Sequence, residues 1–197
     1  FWQKDYLTCH TDHIGLKGIN TQALLQDTAL SIRSVHLQSP TISTFRNKNI
    51  PFQHGVEKLM PGKLLAGIKI PVGIDSVQIQ DASIDVHEVS AITKREGIVP
   101  IKKLNALFRN ITSRPLEKDS LLLEASAQVL DYDIRTFTYV ESYLDSLSGF
   151  RMNYGIAPME LSHVTAVSNP LSAIAVTRGQ ADTLYARVSG NKYAAFG

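Results

Sequence analysis

The chain has 197 residues, 44% of them hydrophobic and 19% charged, with a formal net charge of +2. That balance excludes a disordered acidic or basic segment and leaves no global field to recruit nucleic acid. A single cysteine, Cys9, excludes an internal disulfide, and no run of about 18 apolar residues is present to cross a membrane as a helix.

In chain order, the strongest local signal is period-two alternation, which gives a strand one apolar and one polar face. β-branched and aromatic content predicts strands at Leu7–Leu16, Ala29–Leu37 and Thr41–Arg46. Between Gln53 and Leu65, Val56, Leu59, Met60 and Leu64 recur at helical spacing interrupted at Pro61, which predicts one or two short helices. Val77 and Ile79 then alternate with Ser76, Gln78 and Gln80, and Ala82, Ile84 and Val86 with Ser83, Asp85 and His87. A strand is expected at Ile98–Ile111, after a turn at Arg95-Glu96-Gly97.

The clearest alternation sets Leu121, Leu123, Ala125, Ala127 and Val129 on one face, with Leu122, Glu124, Ser126 and Gln128 opposite. Leu130-Asp131-Tyr132-Asp133 reads as a hairpin connection into a strand at Ile134–Glu141, and Gly149–Gly155 reads as another strand. Pro158–Val167 reads as a short helix started by its proline and stopped before Asn169-Pro170. Near the end, Leu184, Ala186 and Val188 alternate with Tyr185, Arg187 and Ser189.

These elements predict a mostly β fold: a curved antiparallel sheet, as a meander or a partly closed sandwich, with one or two short helical insertions. Residues 1–197 are read as one domain, a fragment of a longer protein, with 1–72 and 73–197 as its subregions. Both termini read as cuts through a longer protein, which leaves room for a transmembrane or export segment upstream of Phe1.

The chemistry-bearing clusters are weak. On a strand, Cys9 and His10 point to opposite faces, as do His10 and His13, so Cys9-His10-Thr11-Asp12-His13 reads as a polar edge strand and not as a metal or nucleophile site. Asp131 and Asp133 flank a turn and lack the further ligands a calcium loop needs. Lys94, Arg95, Lys102 and Lys103 form a basic stretch around Gly97 that reads as solvated hairpin charge. No phosphate loop, dinucleotide fingerprint, nucleophile elbow or zinc-protease motif occurs. No catalytic residue, metal or cofactor is therefore expected, and the candidate site is an apolar sheet face carried by Leu121, Leu123, Ala125, Ala127, Val129, Leu184, Ala186 and Val188.

Three segments together resemble the bacterial AsmA-like proteins, which include the TamB-like group, especially the large members of Bacteroidetes. The first is Gly15-Leu16-Lys17-Gly18-Ile19-Asn20, then Leu30 to Lys48 with its strand, Ser39-Pro40, strand pattern; the second is Gly97-Ile98-Val99 leading into Leu104–Thr112. The third and most specific is Asn169-Pro170-Leu171, then Ile174–Asp182, then Gly190-Asn191; here Arg178-Gly179 stands where Ser-Gly is commoner. The resemblance implies a periplasmic protein anchored in the inner membrane, whose curved sheet offers an apolar face to acyl chains. It further implies a role in outer-membrane biogenesis or lipid transport, with lipid acyl chains or envelope proteins as partners, and it brings no catalytic residues.

Two rival readings remain. A cell-surface β-sandwich for carbohydrate or protein would cluster Tyr132, Phe137, Tyr139 and Tyr143 on its surface. A hydrolase would bring His87, Glu88 and another acid into one pocket.

Overall fold

The computed structural model describes residues 2–55 and 59–197, and 54% of the chain is strand against 12% helix. Strands β1 (Asp5–His10) and β2 (His13–Ile19) lead into helix α1 (Thr21–Gln26), and β3 (Leu30–Gln38) and β4 (Thr41–Asn47) follow. Helix α2 (Pro61–Ala66) precedes the long β5 (Val72–Val89) and β6 (Glu96–Thr112). A meander of β7 (Ser120–Val129), β8 (Tyr132–Ser142) and β9 (Phe150–Ile156) comes next. Beyond it lie β10 (Met159–Glu160), a 3-10 turn, α3 (Thr165–Ser172), β11 (Gln180–Ala181), β12 (Leu184–Gly190) and β13 (Ala195–Phe196).

Eleven strands form one open sheet, and β10 pairs with β11 apart from it. Every pairing in the large sheet is antiparallel except β3–β5 and β4–β5, which are parallel. The sheet is therefore mixed. Residues 48–71, with α2 among them, supply the long crossover that parallel neighbours require.

The strand expected at Leu7–Leu16 is divided at Thr11-Asp12 into β1 and β2, which pair with β4 and β3; elsewhere the expected strands are present, and several are joined through bulges into longer ones. β3 and β4 both lie along β5, so Ser39-Pro40 is one interruption in a single edge of pairing. Ser39 has φ 46 and its N–H donates to the carbonyl of Gln80. The segments Ser76–Gln80 and Ala82–Glu88 are one strand with an extra residue at Asp81, φ 51. β6 carries its extra residue at Lys103, φ 49, and β8 carries one near Arg135. The Ser39-Pro40 break and the extra residues at Asp81 and Lys103 lie side by side on neighbouring strands, whereas the one near Arg135 faces β7 and β9, which carry none. Aligned bulges add local twist and bend.

Local turn chemistry accounts for the tightest connection. Leu130 and Asp131 have φ 52 and 65, the doubly positive pair of a two-residue hairpin between β7 and β8.

The helices differ from expectation. Helix α1 was not foreseen; Asn20 caps it, its side-chain oxygen accepting from the N–H of Ala23. Pro61 starts α2 instead of interrupting a helix, as suits the first helical position; Val56 lies outside the described residues. Pro158 starts no helix, since β10 follows it directly, and α3 runs through Asn169-Pro170 with Pro170 inside it. The turn at residues 90–95 makes that ending tolerable. Ser90 Oγ donates to the carbonyl of Leu171 at 2.5 Å and Thr93 Oγ1 donates to that of Pro170. Arg95-Glu96-Gly97, expected as a turn, instead enters β6 at Glu96.

Candidate functional site

Directly paired residues of a β-ladder point to the same side of the sheet, so register alone builds the candidate face. One row crosses eight strands as Leu16, Val35, Val77, Phe108, Leu123, Tyr139, Met152 and Val188. The next crosses the same strands as Ile14, Leu37, Ile79, Ala106, Ala125, Phe137, Tyr154 and Ala186. Beyond the bulges the pattern resumes with Cys9, Ile42, Ile84, Ile101 and Val129, and with Ala127, Ile134, Ile156 and Leu184. Strand β7 has no extra residue, so Leu121 through Val129 tie both halves to one side. An inserted residue shifts the alternation within its own strand, and because the pairings to β7 resume beyond each insertion, the apolar face survives.

All eight sequence-chosen residues lie on this side: five on β7, three on β12, with β8 and β9 between them. Leu121 is buried and Leu184 exposed, while Leu123, Ala125, Ala127, Val129, Ala186 and Val188 are half-buried. Half-burial is what lateral neighbours within one sheet provide when no second layer covers them. Among the described residues the buried hydrophobic side chains are Ile32, Ala82, Ala106, Leu121, Tyr143 and Ala157. The face is a broad apolar surface, not a closed core.

The middle of the opposite side is mostly polar, while Ile19, Ile32, Ile74 and Ile111 form an apolar row at its end. Gly15, His36, Gln78, Leu107, Glu124, Thr138, Asn153 and Arg187 form one of its rows. A shallow depression of about 450 Å³ lies at the middle strands, lined by residues of polar and apolar rows, Gln78, Glu124 and Thr138 together with Ile79, Ala125 and Phe137 among them.

Helices cover only the two ends of the apolar face. Gly97, on the same side as Val99 and Ile101, packs so closely beneath α3 that an added Cβ would lie 2.6 Å from Leu171 Cγ. At the other end Gly62 of α2 packs on Glu141 and Tyr143. Glu141 is fully buried; its Oε2 accepts from the Gly62 N–H at 2.9 Å and from the Tyr139 hydroxyl at 2.9 Å. Its Oε1 has no hydrogen-bond partner among the described residues. Lys63 Nζ donates to the carbonyl of Tyr143, and the Tyr143 hydroxyl donates to that of Asn110. Burial, the hydrogen bond to Glu141 and its charge all push the Tyr139 hydroxyl above the ordinary tyrosine range. Burial likewise raises Tyr143, opposed by the Thr112 N–H and aided by Glu141 and Asp119.

This buried knot was missed by sequence reasoning. The signal available was parity, since Glu141 sits two and four residues beyond Tyr139 and Phe137, on the apolar side of its strand.

The other sequence candidates stay dispersed. Cys9 is exposed, and His10 Nε2 lies 3.7 Å from Asp12 in open solvent. His87 Nδ1 lies 2.7 Å from Glu96 Oε1, whereas Glu88 pairs with Lys48. Among the described residues no three His, Cys, Asp or Glu side chains converge as metal ligands. Lys102 pairs with Asp131, and Arg95 Nη1 donates to Asn169 Oδ1. Of the four aromatics, Tyr143 is buried, Tyr139 stacks on Phe150 with ring centroids 5.9 Å apart, and the Tyr132 hydroxyl meets His163 Nδ1 at 2.8 Å.

Comparison with protein-family models, curated proteins and solved structures finds no match to the chain.

Proposed function

We propose that this chain is a non-catalytic, lipid-handling segment of an AsmA-like protein of the bacterial cell envelope. In this reading it is periplasmic, anchored to the inner membrane through other parts of the polypeptide, and serves outer-membrane biogenesis or lipid transport. The observation that carries the reading is the unbroken apolar face, eight strands wide between β2 and β12, left half-exposed between α2 and α3. Exposed apolar area costs roughly 25 cal/mol per Å² relative to burial. A contiguous patch of this extent on a soluble chain marks an interaction surface, and acyl chains are occupants that need no polar partners.

Native mass spectrometry of the purified chain, followed by lipid extraction and identification, tests this. A co-purifying phospholipid or fatty acid that is lost in Leu123→Asp, with circular dichroism unchanged, is the expected result. A folded wild-type chain that carries no lipid and takes none up from micelles would turn the reading toward a scaffold role.

A further inference from the structure

One end of the sheet finishes on a straight line. Ile19 pairs with Ile32, Ile32 with Ile74, Ile74 with Ile111, and Ser120 with Ser142. Two residues beyond the pair Arg109–Leu122 the same line passes from Ile111 to Ser120, and one residue beyond Glu141–Phe150 and Gly190–Phe150 it passes from Ser142 to Gly149 and Asn191. Every connection leaving this edge therefore emerges at one level, from β2 to β13. The opposite edge is stepped: β5 and β6 pair as far as Val89–Glu96, while β7 ends at Val129 against Ile101.

Each connection on the flush rim presents large apolar side chains to solvent. Helix α1 exposes Leu24 and Leu25, the latter at 82%. The crossover exposes Leu64, Ile68 and Ile70, and the β6–β7 loop exposes Leu116 at 74%. The β8–β9 loop exposes Leu144 and Leu147, and the last connection exposes Tyr193 at 78%. Single exposed leucines are ordinary; one in every connection of a common edge is a surface. The loops are also fixed to one another. Ser113 Oγ donates to the carbonyl of Ile70, Arg114 donates to those of Ile68 and Lys69, and the Lys192 N–H donates to that of Leu147.

The exposed charges of the rim are mostly basic, Lys69, Arg114, Lys118 and Lys192 against Asp27 and Glu117. Asp119 and Asp145 are half-buried and turned into their own loops, where they accept from the N–H groups of Leu116, Leu147 and Gly149. Lys69, Lys118 and Lys192 are exposed among the apolar tips, with Lys192 Nζ 5.1 Å from the Tyr193 ring centroid. Apolar tips interleaved with lysines and an aromatic are the combination that seats in a headgroup layer and pairs with anionic lipid.

We propose that the flush rim docks on an anionic lipid bilayer, with these loop tips among the headgroups. The proposal extends the lipid-handling reading by giving the sheet an end at which it meets lipid, yet its binding can be tested apart from the sheet face.

Vesicle flotation of the whole chain is the test, with phosphatidylcholine vesicles prepared with and without phosphatidylglycerol. The wild type is expected to float with the anionic vesicles and much less with neutral ones. Combined Leu25→Ser, Leu116→Ser and Tyr193→Ser should lower the bound fraction at least about tenfold, with circular dichroism unchanged. Ile92→Ser with Ile174→Ser on the opposite edge, and Leu123→Asp on the sheet face, should leave flotation intact. A wild type that does not float, or equal flotation on neutral vesicles, overturns the proposal even if lipid co-purifies on the sheet face. So does an opposite-edge variant that loses as much binding, or a lipid-free dimer that the rim changes dissociate, since that would make a second copy the occupant. Flotation without co-purified lipid would keep the rim and remove the sheet-face reading.

Discussion

The carboxylate of Glu141 accepts the backbone N–H of Gly62 at 2.9 Å, across 79 residues of chain, and this contact seats α2 on the sheet. A Cβ at residue 62 would lie 2.8 Å from Oε1 and 3.0 Å from Cδ of that buried side chain. Gly62→Ala should therefore destabilise the fold by roughly 1–3 kcal/mol, the usual cost of overpacking. Gly73→Ala, in β5 with nothing within 4 Å of the added carbon, should be neutral or slightly stabilising. Urea midpoints of the two variants decide this, and equal midpoints would refute the seating role of Gly62.

The same knot has an alkaline signature. The hydroxyl of Tyr139 is held protonated above the ordinary range by burial and by Glu141. A raised folded pKa gives stability that is fully present below the unfolded value near 10 and lost as pH rises through the folded value. Unfolding free energy should thus decline above about pH 10 as the unfolded chain releases its protons first. Tyr139→Phe should flatten that decline, and an ultraviolet titration of the wild type should show a late-titrating tyrosine. An unchanged slope in Tyr139→Phe would assign the decline to other groups, Tyr143 among them.

At the other end of the apolar face, Gly97 leaves room for Leu171. Gly97→Ala should cost roughly 1–3 kcal/mol by pushing α3 off β6. Leu171→Ala in the same chain should recover a good part of that loss, because the clash disappears with the side chain. A double-mutant cycle measures the coupling; strictly additive effects would mean that the two residues do not meet.

The bulge line gives a third kind of test. Lys103 sits at φ 49, where a non-glycine residue carries strain of roughly 1–2 kcal/mol. Lys103→Gly should stabilise the chain by up to about 1 kcal/mol after the added backbone entropy of glycine in the unfolded state. Deleting Lys103 should be far worse. Without the extra residue, Val99 and Ile101 cannot share a side with Phe108 while keeping their pairings to Val86 and Ile84. Thermal unfolding of both variants separates strain relief from register loss.

Period-two alternation is a local property, and it marked β5, β7 and β12 with the apolar side of each, while β-branched and aromatic content marked further strands; the hairpin expected over Leu130–Asp133 is a two-residue turn at Leu130-Asp131. The eight apolar positions chosen on β7 and β12 needed only that alternation to be placed on one side of their own strands. Their union into one face was decided in three dimensions. Ser39-Pro40, Asp81 and Lys103 look unrelated along the chain, yet each is the answer to a bulge on the neighbouring strand. The parallel pairing of β3 and β4 with β5 was likewise invisible locally, because a crossover and a hairpin leave the same alternation on either side. Glu141 reads in sequence as a polar residue ending a strand; only the arrival of Gly62 from a distant helix makes it a buried partner. Alternation follows from backbone geometry within a few residues, whereas register, strand order and burial depend on which distant segment supplies the other half of each hydrogen bond.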